Sequence, residues 1–250
     1  MSPAQQSDAV SHSDDALLGG RVTIRQPVKG YRVAVDPVLL AAAVSAKGGM
    51  NVLDAGCGSG AAMFCLAARI PGLSLTGLEI QRELANCARA GLELNRLTGS
   101  ARIIDGDIAN PPRDFKTAFD IVITNPPFAD GGTTPPDEMI AKAHMETNVD
   151  LRTWIASCMA CLKQKGRLVL IHRADRLSDI FAALHGRAGD IRIWPVYPSA
   201  GAPARRVIID AGKGRKSPDT LHAGLILHDQ GGGHTREAEQ VLRAAESLPI

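Results

Sequence analysis

The chain has 250 residues, 45% of them hydrophobic and 22% charged, with a formal net charge of +2. That balance suits one large globular domain with at most a small appendage. The net charge does not select a partner, since a nucleic-acid binder can be near neutral when its basic residues cluster. No apolar run reaches membrane-spanning length, and no basic-then-apolar segment opens the chain. The cysteine count of 5 is odd, which argues against a disulfide framework and places the protein in a reducing cytoplasm.

Residues 1–18 are polar and acidic at the start, with little periodicity, and read as a disordered tail; 19–250 read as a single domain. Within it, 19–48 form a front piece expected to cover the open end of a ligand cleft. Arg21 to Arg25 alternates apolar and polar residues, Gln26 to Arg32 reads as a turn, and Asp36-Pro37 as an N-cap with proline at the first helical position. The helix that follows is predicted over Val38 to Ala46. Then strands and helices alternate: strand Asn51–Ala55, helix Ala61–Arg69, strand Leu73–Ile80, helix Arg82–Leu97, strand Ala101–Ile104, strand Phe119–Thr124, helix Leu151–Leu162, strand Arg167–His172, helix Leu177–Leu184. Each apolar run is short and punctuated by glycine or proline, as for parallel strands buried on both faces. The alternation predicts an α/β fold with a doubly wound, mostly parallel sheet and right-handed crossovers. Ile191–Tyr197 and Arg205–Ala211 are separated by too short a loop for a helical crossover and are predicted to pair antiparallel. The extension 213–250 holds a strand-like piece, Leu225–His228, and a helix within Thr235–Ala245 that Thr235 is placed to cap. Cys158 and Cys161 have CxxC spacing inside the apolar pattern Trp154–Leu162 and read as core residues. No further cysteine or histidine cluster completes a zinc site, so no metal is expected.

Two motifs carry chemistry. Val52-Leu53-Asp54-Ala55-Gly56-Cys57-Gly58-Ser59-Gly60 reads as a buried strand running into a glycine-rich turn at a helix amino end, where a ligand can approach the backbone closely. Its third glycine comes one place earlier than in the dinucleotide fingerprint, and Asp54 suits a ligand with a cationic amino group better than a pyrophosphate. Glu79 closes the next strand, positioned to accept the hydroxyl hydrogens of a ribose. Asp105-Gly106-Asp107-Ile108 ends the third, where Asp107 is preferred to Asp105 for reading an adenine edge. The second motif is Asn125-Pro126-Pro127-Phe128, at the end of strand Phe119–Thr124. Two prolines cannot donate ladder hydrogen bonds, and the residue before a proline is held extended. The result is a stiff turn presenting one amide and one aromatic ring. The Asn125 side-chain oxygen and the Pro126 carbonyl can each accept an amine hydrogen, while Phe128 stacks on a planar base, worth about 1–3 kcal/mol. Together the motifs point to methyl transfer onto a planar nitrogen of a flipped or unpaired base, with no covalent intermediate required.

Asp54-x-Gly56-x-Gly58-x-Gly60, Glu79, Asp107 and Asn125-Pro126-Pro127-Phe128, in this order and spacing, resemble a class I S-adenosylmethionine-dependent methyltransferase. The resemblance covers roughly Arg21 to Gly212. It implies a Rossmann-like, seven-stranded sheet with an antiparallel last strand. It also implies a cofactor, S-adenosylmethionine (leaving as S-adenosylhomocysteine), held at its methionine end by Asp54, Ala55, Gly56, Gly58 and Gly60. Glu79 with Ile80 would hold the ribose, and Asp107 with Ile108 the adenine. Gln26, Arg32 to Asp36, Leu39-Leu40-Ala41 and Ala143-His144-x-Glu146 are similar to the bacterial tRNA(Val) adenine N6-methyltransferase family, which adds Gln26, Arg32 and Asn125 to the implied cofactor residues. Phe128 stands where that family usually has tyrosine, Val35 replaces a usual threonine, and Ala143 sits where arginine is common. The implied activity is methylation of adenine N6 in tRNA. The alternatives are guanine N2 of rRNA or a protein glutamine, whose enzymes usually carry an additional recognition domain for which no room is expected here, and a non-catalytic RNA-binding remnant. His144 invites a general-base role, against the more ordinary reading as a polar helix or loop residue, and a dedicated base is not needed. The dispersed basic residues Lys29, Arg32, Arg173, Arg205, Arg206, Lys213, Arg215 and Lys216 are candidates to track RNA phosphates.

Overall fold

The structure, a computed structural model, describes residues 11–29, 32–127 and 150–248. Its centre is a nine-stranded sheet built from β3 (Asn51–Ala55), β4 (Ser74–Glu79), β5 (Ala101–Asp105), β6 (Phe119–Thr124), β7 (Leu162–Arg173), β8 (Ala188–Ser199), β9 (Arg206–Lys213), β10 (Thr220–Leu221) and β11 (Leu225–His228). Seven of these run in the order β5-β4-β3-β6-β7-β9-β8, and only β9 is antiparallel to its neighbours. These are the seven strands, the last of them antiparallel, that the resemblance implies. The short β10 and β11 both add to the free edge of β8, in parallel.

The period-two pattern of the strands sorts their side chains into two cores. Val52, Ile121, Ile123, Val169, Ile171 and Ile208 face one layer, formed by α1 (Asp36–Ala43), α2 (Ala61–Arg69), α3 (Arg82–Leu94) and the C-terminal α6 (Arg236–Arg243). Leu53, Val122, Leu168, Leu170, Val207 and Ile209 face the other, formed by α4 (Leu151–Cys161) and α5 (Leu177–Leu184). Helix α3 shows why it lies down on the sheet: Ala85, Ala88 and Leu92 recur at helical spacing and are buried, while its other face is polar. Cys158 and Cys161 are fully buried core residues of α4, and all five cysteines are free thiols.

Two expectations need correction. The tail predicted over 1–18 gives way at its end to a strand, β1 (His12–Leu17), paired antiparallel with β2 (Val22–Pro27). Long-range polar contacts stabilise it: Asp14 pairs with Arg25, and Asp15 accepts from Gln26 and Arg32. The hairpin is tied to α3 by Asn95, which accepts from the Thr23 N–H at 2.9 Å and donates to the Thr23 carbonyl at 2.6 Å. Asp36 is not an N-cap. It lies inside the first turn of α1 without a side-chain cap bond, and its buried carboxylate instead holds Arg206 at 2.9 Å. The extension 213–250 packs on the front piece: Leu248 N–H bonds to the Ala42 carbonyl, and Arg69 reaches Ala41, Ala245 and Ser247. The Thr235 cap is present, with its hydroxyl accepting from the Ala238 N–H at 3.1 Å.

Candidate active site

The chain runs β3, β4, β5 outward in one direction and then returns to lay β6 on the other side of β3. The reversal leaves a crevice at the carboxyl ends of β3 and β6, the place where open α/β sheets bind ligands. Register brings the predicted residues to this one rim. Ala55 pairs with Leu78 on one side and Thr124 on the other, and Glu79 pairs with Asp105. The Asp105–Ile108 segment, Glu79, the glycine turn and Asn125 therefore follow one another along the same edge.

The turn after β3 is held by its neighbours' backbone. Gly56 and Cys57 N–H groups both bond to the Leu78 carbonyl, at 2.8 and 3.1 Å. Gly56 has φ +71°, and a Cβ there would lie 2.8 Å from the Trp154 ring, so only glycine fits. Gly58 also has positive φ, +55°, but faces open space, leaving its backbone approachable. Gly60 leads directly into α2. Glu79 Oε2 accepts the Gly58 N–H and Oε1 the Gln81 N–H, both at 2.8 Å. This spends on a carboxylate the turn amide that a dinucleotide site offers to phosphate. Asp54 Oδ2 accepts the Met63 N–H at 3.2 Å, in the first turn of α2. Burial, against the pull of that N–H and reinforced by the Glu79 charge, pushes Asp54 up to about 7. Burial also raises Glu79, opposed by its backbone donors. Among the described residues neither carboxylate has a cationic side chain beside it. The thiol of Cys57 is pushed far up by burial and stays protonated.

Next along the rim, Ile80 is 37% exposed, an apolar surface directly after Glu79. Asp107 and Asp105 have different partners. Asp105 is drawn to the surface by Arg89, 2.8 Å away, whereas Asp107 Oδ1 folds back on the Ala109 N–H at 2.8 Å and Ile108 is buried beneath. At the end of β6, Asn125 Oδ1 is buried and has no hydrogen-bond partner among the described residues. A buried acceptor left unpaired costs about 1–3 kcal/mol, so a ligand that donates to it would recover that cost. Pro126 is buried and Pro127 exposed. Phe128, Ala143, His144 and Glu146 lie outside the described residues.

Gln26 and Arg32 do not bond to the glycine turn. Gln26 is buried with both ends used inside the front piece, donating to Asp15 at 2.8 Å and accepting the Val33 N–H at 3.0 Å. Arg32 is exposed and pairs with Asp15. The basic candidates split between the two ends of the sheet. Arg173 and Arg206 are register partners at the rim end of β7, with Arg205 next to them. Lys213 and Arg215 lie at the opposite end, where Lys213 donates to the Met159 and Leu162 carbonyls at the end of α4. Two residues that sequence reasoning missed stand at the centre. Trp154 Nε1 donates to Thr124 Oγ1 at 3.0 Å, and that hydroxyl donates to the Ala55 carbonyl at 2.7 Å. Trp154 was read only as an apolar member of a helix, and nothing local in the sequence reveals a partner 30 residues away.

The residues fit S-adenosylmethionine on three features: an amide oxygen without a partner among the described residues, a glycine turn open at Gly58, and two buried carboxylates beside which the described residues place no cation, where a positively charged ligand is favoured. Sheet and rim together define a class I, Rossmann-like methyltransferase that depends on S-adenosylmethionine. Residues 34–184 match the methyltransferase small domain family, and the chain belongs to that family. Among curated relatives, the tRNA1(Val) (adenine(37)-N6)-methyltransferase of Porphyromonas gingivalis is 32% identical, over 70% of this chain and 74% of its own. The enzyme of the same name from Yersinia pseudotuberculosis is 26% identical over 90% and 92%. Among solved structures, a predicted O-methyltransferase from Agrobacterium tumefaciens superposes with a TM-score of 0.71 at 26% identity, covering 86% of this chain and 98% of that one. An S-adenosylmethionine-dependent O-methyltransferase from Thermotoga maritima shares the fold, with a TM-score of 0.55 at 18% identity over 76% and 70% of the two chains.

Proposed function

We propose that this protein methylates the exocyclic N6 of an adenine in tRNA, working in the cytoplasm. The observation that carries the reading is the buried Oδ1 of Asn125, unpaired among the described residues, at the end of β6 beside the glycine turn of β3. When bound, S-adenosylmethionine supplies a methyl group on a sulfonium, ready for a nucleophile. The chain's own part is to make a poor nucleophile good. An exocyclic amine delocalises its lone pair into the ring. Asn125 Oδ1 and the Pro126 carbonyl each accept one amine hydrogen, which draws the nitrogen toward a pyramidal shape and aims its lone pair into the crevice. Phe128 holds the plane of the base. Glu79 accepts from the ribose hydroxyls with Ile80 against the sugar and base. Asp107 receives the adenine amine of the cofactor, with Ile108 supporting that turn. Asp54, Ala55, Gly56, Gly58 and Gly60 shape and charge the pocket for the amino-acid end. Gln26 and Arg32 act more remotely, by holding the front piece in place through Asp15.

The structural relatives named as O-methyltransferases raise a hydroxyl acceptor as a second reading. A hydroxyl must lose its proton to become a strong nucleophile, which calls for a base. An amide oxygen is no base, but it is a good acceptor for an N–H that stays in place until the methyl has moved. Asn125 therefore favours nitrogen, and the curated relatives direct that choice to adenine in tRNA. Arg205, at the rim beside Arg173 and Arg206, is the candidate contact for the RNA backbone, since Arg173 and Arg206 already pair with Asp175 and Asp36. The test is Asn125→Ala: transfer to tRNA is lost while S-adenosylhomocysteine binds within about threefold of wild type, a difference under 1 kcal/mol. Near-wild-type turnover in this variant would refute the assignment.

A further inference from the structure

The glycine turn and Asn125 belong to different strands, and the ladder that joins those strands ends at the site. Thr124 is the last residue of β6 paired with β3, opposite Ala55, and the prolines beyond it have no N–H to continue the pairing. At this last rung the side chains take over. Trp154 Nε1 donates to Thr124 Oγ1, and Thr124 Oγ1 donates to the Ala55 carbonyl. Trp154 is 4% exposed, while Thr124 and Ala55 are wholly buried. The hydroxyl thus uses its one proton and a lone pair at once, which removes its freedom to rotate. The same indole presses against Gly56, the first residue of the turn. Asp150 fixes where α4 begins, accepting the Thr153 N–H at 2.8 Å, and Trp154 follows one turn later. One side chain from α4 therefore touches both halves of the crevice.

We infer that Trp154 and Thr124 are positioning residues that set the spacing between the glycine turn and Asn125, and so govern turnover more than ligand binding. The inference rests on the reading of Asn125 as the acceptor of the amine hydrogens. A tryptophan that merely fills the core would also bury its ring and satisfy its N–H. What differs here is the placement of its partner, one residue before Asn125 and bonded to the residue before Gly56.

The test uses Trp154→Phe, which keeps a ring against Gly56 but deletes the N–H, together with Thr124→Val, Thr124→Ser and the Trp154→Phe/Thr124→Val double variant. Turnover, KM for tRNA and S-adenosylhomocysteine affinity are measured well below each variant's unfolding temperature, beside wild type and Asn125→Ala. Trp154→Phe and Thr124→Val should each lower kcat by about 10- to 100-fold, the penalty of a slightly misplaced reacting group, with cofactor affinity changed by no more than about threefold. Thr124→Ser should recover most of the rate. The double variant should be no slower than the slower single one, because both substitutions cut the same chain. Should Thr124→Val not fold, Trp154→Phe and Thr124→Ser carry the comparison. Folded Trp154→Phe with wild-type kcat, a Thr124→Ser as slow as Thr124→Val, or multiplying losses in the double variant would overturn the inference. Failure of the underlying reading has a different signature: no transfer by wild type, or full transfer by Asn125→Ala.

Discussion

Glu79→Gln separates two duties of one carboxylate. Both oxygens accept backbone N–H groups, Gly58 through Oε2 and Gln81 through Oε1, and the residue is 5% exposed. An amide offers one oxygen and one NH2, so one of those donors is left facing a donor. Leaving it unsatisfied costs about 1–3 kcal/mol of stability. The ribose contact suffers separately. A hydrogen bond to an ionised acceptor contributes about 1.5–3 kcal/mol and a neutral one about half of that, so two ribose bonds together weaken by roughly 2 kcal/mol. The expected loss of S-adenosylhomocysteine affinity is about thirtyfold. Calorimetric titration reads the second effect and urea unfolding the first. If Glu79→Gln is destabilised but binds as wild type, Glu79 only staples the Gly58 turn and the ribose lies elsewhere.

Asp54→Asn should change how stability depends on pH. An acid raised by burial to about 7 keeps its proton in the native state over a range where the unfolded chain has lost it, so its contribution to stability falls as pH rises from the ordinary carboxylate range through 7. Urea unfolding should show wild type losing on the order of 1–3 kcal/mol relative to Asp54→Asn between about pH 5 and about pH 8, and parallel profiles would refute the shift. Asn95→Ala removes the clamp on Thr23 and should cost about 1–3 kcal/mol, with faster amide exchange across β1 and β2; unchanged exchange would mean the hairpin is held by other contacts. Phe128→Tyr should be nearly silent and Phe128→Ala at least about tenfold slower, since base stacking needs only the ring face; equal rates in all three would remove the stack from the mechanism.

Most of the fold was legible because its strands are short apolar runs that end in residues unable to continue them. Phe119–Thr124 stops at two prolines and Asn51–Ala55 at a glycine, and both strands have the bounds read from the sequence. The candidate rim was legible for the same reason, since its residues are the stops themselves. What escaped depends on distant partners. His12–Leu17 carries three charged or hydroxyl side chains in a row and becomes a strand only through pairing with Val22–Pro27 and the Asp14 and Asp15 contacts. Asp36 has the sequence of an N-cap, but Arg206, far along the chain, takes its carboxylate into another bond. Trp154 and Thr124 look like ordinary core residues until α4 is laid beside β3 and β6.

The identity of the methylated nucleoside decides whether the acceptor is adenine N6 in tRNA. Purified protein is incubated with unmodified tRNA and methyl-labelled S-adenosylmethionine, at low and moderate salt, and the RNA is digested to nucleosides. We expect label in N6-methyladenosine, decreasing as salt rises because phosphate contacts release counterions, and no label with Asn125→Ala. Label in N2-methylguanosine, or transfer only to a protein glutamine with a flat response to salt, would contradict it.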